Sequence, residues 1–152
     1  MPHRLTDHSL RSDGSSEYRI TSVQYAEYVG YSEANGVLPP YPIVVLRPGD
    51  QGPIFTVTAE DGDETYSLKV NGNTVQDLDD RVTSFEDGFN RQWIILYRGD
   101  ERAYTVQERA GNSLAWTVPG PDLNHMQVLL EPLRECTPLV PAQLFNFELV
   151  NP

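Results

Sequence analysis

The stretch "ETYSLKVNGNTVQDLDDRVTSFEDGFNRQWIILY", residues 64–97, contains four short segments rich in β-branched and aromatic residues. Turn-forming Asn, Gly and Asp residues separate each segment from the next. Segments of this kind, bounded by turn residues, are typical of β-strands. No 3.6-residue apolar period runs for ten residues without a breaker, so the pattern does not favour a helix. The stretch therefore predicts four consecutive strands.

Two further blocks of four predicted strands flank this central block. The first block has segments 17–23, 26–31, 41–47 and 53–59, and the third has 102–108, 114–118, 126–132 and 143–150. A similar motif opens each block: Tyr18-x-Ile20, Tyr66-x-Leu68 and Tyr104-x-Val106. Another closes each block: Phe55-x-Val57, Trp93-x-Ile95 and Phe145-x-Phe147. "VVLRP" (44–48) and "VLLEP" (128–132) take the same third-strand place, with "RVTSF" as a weaker counterpart.

Three blocks of four strands predict an all-β chain with the β-trefoil fold. Six of the twelve strands would close a barrel, and six would form hairpins that cap it with pseudo-threefold symmetry. Residues two apart on a strand face the same side, so each block would supply one wedge of a shared core. The six motif aromatics are therefore expected in the core. A sandwich or an eight-to-ten-stranded barrel remains the alternative.

The rest of the chain limits the classes of function. The net charge of −11 argues against nucleic acid and anionic membranes as partners, and no apolar run approaches the roughly 20 residues of a membrane helix. Cys136 is the single cysteine and no glycosylation sequon occurs, which favours a reducing, cytoplasmic location. We expect a monomer with a polar arm over residues 1–16, which lacks a signal-peptide h-region, and one domain over residues 17–152.

Catalytic and metal-binding signatures are missing from the sequence. His125 and Cys136 are the one conceivable nucleophile–base pair, but no motif surrounds either residue. "EDGDE" (60–64) lacks the alternating ligands of a calcium loop, and no His/Cys cluster has zinc spacing. No glycine-rich phosphate loop follows a strand. The sequence predicts that the protein is not an enzyme and needs no metal or cofactor.

A carbohydrate-binding trefoil is one alternative function. Such proteins use an Asp and a stacking aromatic in each block, with Gln-x-Trp near the end of the block. Here Gln92 and Trp93 are adjacent rather than one apart, and the other two blocks have no counterpart. Trp116 could stack on a sugar with Asp122 nearby, although a core position is the simpler interpretation.

Several segments together resemble the mushroom β-trefoil serine-protease inhibitors, the cospin-like family. They are "EYRITSV", "LPPYPIVVLRP", "PIFTV", "QWIILY", "AYTVQE", "AWTVPGPD", "QVLLEPL" and "PAQLFNFELV", which together extend from residue 17 to residue 150. The resemblance implies fungal cytosolic proteins without disulfides that act in defence or proteolysis control. It also implies reversible binding of trypsin-like proteases through an exposed loop between the second and third strands.

In this chain that connection is the polar stretch inside "YVGYSEANGVLPPYPIVVL", residues 28–46. Its prolines restrict the backbone and would hold one arm of the loop extended, which lowers the ordering entropy lost on binding. The expected protease-binding residues are Glu33, Ala34, Asn35, Gly36 and Val37, with Asn35 entering the specificity pocket. A trypsin pocket prefers Arg or Lys, so an asparagine-specific cysteine protease of the legumain type is the alternative target.

Two other positions compete with Asn35. Arg134 lies in the proline-bounded connection "LRECTPLVP" (133–141) and has the charge that a trypsin pocket prefers, which makes it the secondary candidate. Asn71 lies in a predicted two-residue hairpin turn, which is too tight to enter a protease cleft.

Overall fold

The computed structural model describes residues 14–31, 40–86, 91–109, 113–120 and 126–150. Thirteen strands and one 3-10 turn are assigned within these residues. The strands are β1 (Ser15–Ser22), β2 (Val29–Gly30), β3 (Tyr41–Pro42), β4 (Val44–Val45), β5 (Phe55–Ala59), β6 (Thr65–Val70), β7 (Asn73–Leu78), β8 (Arg81–Phe85), β9 (Gln92–Arg98), β10 (Ala103–Glu108), β11 (Ala115–Thr117), β12 (Leu129–Glu131) and β13 (Phe145–Leu149). The 3-10 turn is Pro141–Gln143.

Six strands close into a barrel by antiparallel pairing. The ring runs β1–β5–β6–β9–β10–β13 and returns from β13 to β1. Each block contributes its first and last strands to this ring, as the repeat predicts. A closed ring leaves no unpaired strand edge within the barrel.

The repeated aromatic motifs lie opposite one another on adjacent strands of the barrel. In the strand register Tyr18 lies opposite Phe55, Tyr66 opposite Trp93, and Tyr104 opposite Phe145. All six residues are buried. Each block is therefore closed by the pairing of its own opening and closing aromatics, and the prediction that they form the core is confirmed.

The hairpins β2–β4, β7–β8 and β11–β12 cap the barrel. Their equivalent residues Ile43, Val82 and Val128 form a cycle of backbone hydrogen bonds. The N–H of Ile43 donates to Val82 O (3.0 Å), that of Val82 to Val128 O (2.9 Å), and that of Val128 to Ile43 O (2.8 Å). This cycle repeats the same hydrogen bond in all three hairpins, as pseudo-threefold symmetry requires. The β-trefoil prediction is therefore confirmed, and the alternatives of a sandwich and an eight-to-ten-stranded barrel are excluded.

Some predicted strand bounds differ from the structure. The segment predicted as one strand at 41–47 is divided into β3 and β4, because Ile43 directs its backbone groups to the two other hairpins. The last strand begins at Phe145 rather than residue 143, since Pro141 starts the 3-10 turn. The first strand begins at Ser15, two residues earlier than expected, while residues 1–13 of the predicted arm lie outside the described residues.

The core is continuous through barrel and cap. Trp93 and Trp116 pack edge to face at 5.8 Å, and Trp116 packs in the same way on Phe145 at 5.6 Å. Both tryptophans are fully buried. No helix within the described ranges has the length and apolarity needed to cross a membrane.

Candidate functional site

The first candidate segment is residues 32–39, which includes Glu33, Ala34, Asn35, Gly36 and Val37. All of these residues lie outside the described part of the chain, so their predicted role stays a prediction. The structure does describe both ends of the segment. Tyr31 precedes it and is 8% exposed, and Pro40 follows it and is exposed.

Two stacked tyrosine rings join the ends of the first segment. The rings of Tyr31 and Tyr41 lie 4.7 Å apart with 12° between their planes. Asn71 Nδ2 donates a hydrogen bond to the Tyr31 hydroxyl (3.0 Å). Tyr41 pairs with Ser84 of β8, whose hydroxyl donates to Tyr41 O (3.3 Å). The second block of the trefoil therefore holds both ends of a connection that belongs to the first block.

Asn71 takes part in this arrangement from the turn between β6 and β7. Asn71 and Gly72 both have positive φ angles, 51° and 80°, as a two-residue hairpin turn requires. The sequence correctly predicted the tight turn, but it contained no sign that the Asn71 side chain reaches Tyr31.

The second candidate segment is residues 132–139, which contains Arg134. Arg134, Glu135, Cys136, Thr137 and Pro138 are all exposed. This run of five exposed residues lies between strand β12 and the 3-10 turn. Arg134 is thus accessible, as its role as secondary candidate requires.

Gln143 holds the N-terminal end of the second segment from within the fold. This residue is 0% exposed. Its Oε1 accepts a hydrogen bond from the N–H of Arg134 (2.9 Å), and its Nε2 donates to Pro132 O (3.0 Å) and to Thr117 Oγ1 (3.0 Å). Gln143 was not among the residues that the sequence singled out, although its place directly before the apolar pair Leu144 and Phe145 is a signal that could have drawn attention to it.

Glu101 holds the other end of the second segment. Its Oε2 accepts a hydrogen bond from the N–H of Leu139 (2.8 Å). A groove of about 510 Å³ separates the second segment from the β9–β10 turn, lined on one side by Arg98 and Glu101 and on the other by Glu135 and Cys136. No sequence signal links Glu101 to a segment 38 residues away, so only the folded chain reveals this anchor.

The two candidate segments are anchored on different parts of the trefoil. The ends of the first contact Asn71 and β8, whereas the second contacts Glu101 of the β9–β10 turn and Gln143 of the 3-10 turn. The structure does not join them into one composite site through these contacts. Each can therefore be tested separately.

Shifted pKa values occur within the trefoil framework. Burial raises the pKa of Tyr66 to about 12 and raises that of Tyr104 further. Burial and then a hydrogen bond to Asp77 raise the pKa of Glu108 from 4.5 to about 7. The charges of Asp77 and Asp80 act in the same direction, whereas Arg91 lowers the pKa.

The structure limits the alternative sites that the sequence left open. Trp116 is 0% exposed and offers no face to a sugar. Cys136 is exposed, but its conceivable partner His125 lies outside the described residues, as does Asp122. Among the described ranges, no group of three His, Cys, Asp or Glu side chains is arranged to hold a metal ion.

The barrel, the three-hairpin cap and the anchored surface segments define a β-trefoil protein. The chain belongs to the family described as peptidase inhibitor I66, whose sequence profile matches residues 9–149. It is therefore a member of a peptidase inhibitor family and not an enzyme. No curated protein sequence matches the chain.

Solved structures agree with this assignment. A proteinase inhibitor from Coprinopsis cinerea is similar with a TM-score of 0.76 and 26% identity, over 91% of this chain and 100% of that chain. A Macrolepiota procera ricin B-like lectin in complex with lactose has a TM-score of 0.61 and 17% identity, over 91% and 97% of the two chains. The BEL β-trefoil has a TM-score of 0.65 and 14% identity, over 92% and 96%. The last two likenesses show the fold alone.

Proposed function

We propose that this chain inhibits trypsin-like serine proteases reversibly, by inserting an exposed segment into the active-site cleft of the protease. Membership of a peptidase inhibitor family supports a protease as the partner. One observation carries the choice of a trypsin-like target: the second segment exposes Arg134, and both of its ends are hydrogen-bonded to the trefoil.

Charge and order both support this role for the second segment. A trypsin-like specificity pocket ends in a carboxylate, and a guanidinium forms strong charge-assisted hydrogen bonds with such a group. A segment that is already held in one shape loses less conformational entropy on binding. The anchors at Gln143 and Glu101 supply that order before the protease arrives.

The proposal keeps residues 33–37 as the primary protease-binding segment, with Asn35 in the specificity pocket. Stacking of Tyr31 on Tyr41 supports this choice, because it fixes the two ends of the connection close together. An asparagine side chain can donate hydrogen bonds but supplies no ion pair, so this segment suits an asparagine-specific protease as well as trypsin.

A panel of trypsin, chymotrypsin, subtilisin, papain and legumain tests the target class. We expect the wild type to inhibit trypsin, and inhibition of legumain alone would overturn the trypsin-like assignment.

Asn35→Asp and Arg134→Gln then assign the segment, since the variant that loses inhibition identifies the pocket residue. Arg47→Gln is the matched control, because the side chain of Arg47 is 89% exposed in an unrelated connection. Full inhibition by both test variants would contradict insertion at either proposed residue.

The proposal also describes a monomer that works in a reducing, cytoplasmic setting. The single cysteine supports this, since Cys136 is exposed and has no partner for an intrachain disulfide. Light scattering with and without reductant tests the oligomeric state. A stable dimer in reductant would contradict the monomer.

A further inference from the structure

The Gln143 side chain acts on the second segment as a neighbouring strand would. It accepts from the N–H of Arg134 and donates to the carbonyl of Pro132, two main-chain groups on the same edge of the segment. It also donates to the buried Thr117 hydroxyl at 3.0 Å. One fully buried amide therefore ties residues 132–134 to the interior of the trefoil.

Gln143 occupies a main-chain group that a bound protease would also use. Extended peptides are recognised by main-chain hydrogen bonds, with side-chain pockets adding specificity. The N–H of Arg134 is one group that a protease would use if Arg134 filled its specificity pocket as a substrate residue does. Gln143 Oε1 already accepts a hydrogen bond from this N–H, although Arg134 itself is exposed.

We propose that Gln143 is a positioning residue that presents Arg134 to a trypsin-like protease while withholding its backbone N–H, so that the Arg134–Glu135 bond is bound but not hydrolysed. This inference rests on the proposed function for its partner. Hydrolysis requires the reacting groups to be held in a near-attack geometry, and a segment fixed from the inside cannot shift to reach it. Glu101 adds a second restraint at Leu139.

Amide hydrogen exchange on the wild type gives the first test and needs no substitution. The N–H of Arg134 should exchange at least tenfold more slowly than an unprotected amide, as should the N–H of Leu139. Exchange at the unprotected rate at Arg134 would overturn the proposal. This measurement does not depend on whether the protein inhibits any protease.

Gln143→Leu tests the role itself, because leucine has a similar size but forms neither main-chain bond. Prolonged incubation with trypsin, followed by mass spectrometry, should show cleavage after Arg134 at least tenfold faster than in the wild type. Cleavage after Arg81, an exposed residue at the start of β8, should be unchanged. Equal cleavage after Arg134 in both proteins would overturn the proposal.

Thr117→Val is the second variant and separates positioning from general packing. It removes one hydrogen-bond partner of Gln143 but leaves both main-chain bonds. Cleavage after Arg134 should stay at the wild-type rate even if the melting temperature falls. Faster cleavage in Thr117→Val, to the extent seen in Gln143→Leu, would show that destabilisation alone opens the segment and would contradict the proposal.

Failure of this inference is distinguishable from failure of the proposed function. A wild type that inhibits trypsin but whose Gln143→Leu variant resists cleavage after Arg134 would leave the function and remove the positioning role. A wild type that inhibits no protease of the panel would instead remove the function.

Discussion

Glu108→Gln should stabilise the protein in alkaline solution and leave it nearly unchanged in acid. The wild-type residue is 6% exposed and its carboxyl group shares a hydrogen bond with Asp77. Burial is the main cause of its pKa of about 7, compared with 4.5 for an ordinary glutamate. Glutamine has nearly the same shape and can donate to Asp77 without ever carrying a charge.

The sign and size of the effect follow from the two pKa values. The folded state holds the Glu108 proton more tightly than the unfolded state, so wild-type stability falls as the pH rises from 4.5 through about 7. A pKa difference of one is worth about 1.4 kcal/mol, which gives about 3 kcal/mol for the full shift. Screening by solvent reduces this, and we take about half, or about 1.5 kcal/mol. A chain of this size then gains roughly 3–6 °C in melting temperature.

Urea unfolding at pH 3.5 and pH 8.5 measures this difference. The free energies of unfolding of the two proteins should agree closely at pH 3.5, below both pKa values, and separate at pH 8.5, with the variant more stable. Asp77→Asn is the control, because it removes the neighbouring negative charge and should also reduce the alkaline loss. Equal pH dependence in wild type and Glu108→Gln would refute the assignment of this titration to Glu108.

Three further predictions concern the framework. In chemical denaturation, Trp93→Phe should destabilise the protein by about 1–3 kcal/mol more than Trp116→Phe. The reason is that Trp93 Nε1 donates a hydrogen bond to Val75 O (3.2 Å), whereas no described residue accepts one from Trp116 Nε1. Equal losses would contradict this. Gly30→Ala should cost about 1–3 kcal/mol, because its added Cβ would overlap the ring of Pro53. Gly99→Ala should be near neutral in the same chemical denaturation, since its Cβ would meet no atom within 4 Å. A large loss of stability there would contradict the steric explanation for Gly30.

The repeat made most of the fold predictable from the sequence. Tyr18, Tyr66 and Tyr104 mark equivalent places, and residues at equivalent places in a closed barrel must bury their side chains in one core. The break at Ile43 was not predictable, because its cause is a cycle of hydrogen bonds with Val82 and Val128, which lie far away in the sequence. Sequence patterns report local periodicity and do not record such long-range pairing.

The candidate site was less predictable than the fold. The proline-bounded connection around Arg134 stood out, because proline restricts the backbone whatever fold surrounds it. The contacts that hold the connection did not, since Gln143 and Glu101 are ordinary polar residues whose partners are set by the tertiary fold. The prediction for Asn35 rests on the resemblance and on the described ends of its connection.

The central claim is that the trefoil is a self-sufficient scaffold and that its surface segments inhibit a serine protease. The most direct measurement is trypsin inhibition by a variant that lacks residues 32–38 and carries Arg134→Gln, recorded together with its melting temperature. We predict that inhibition weakens by at least about 100-fold, as for loss of the main binding residues of an interface, while cooperative unfolding persists near the wild-type temperature. Undiminished inhibition, or loss of the folded state on removing the segment, would contradict the claim.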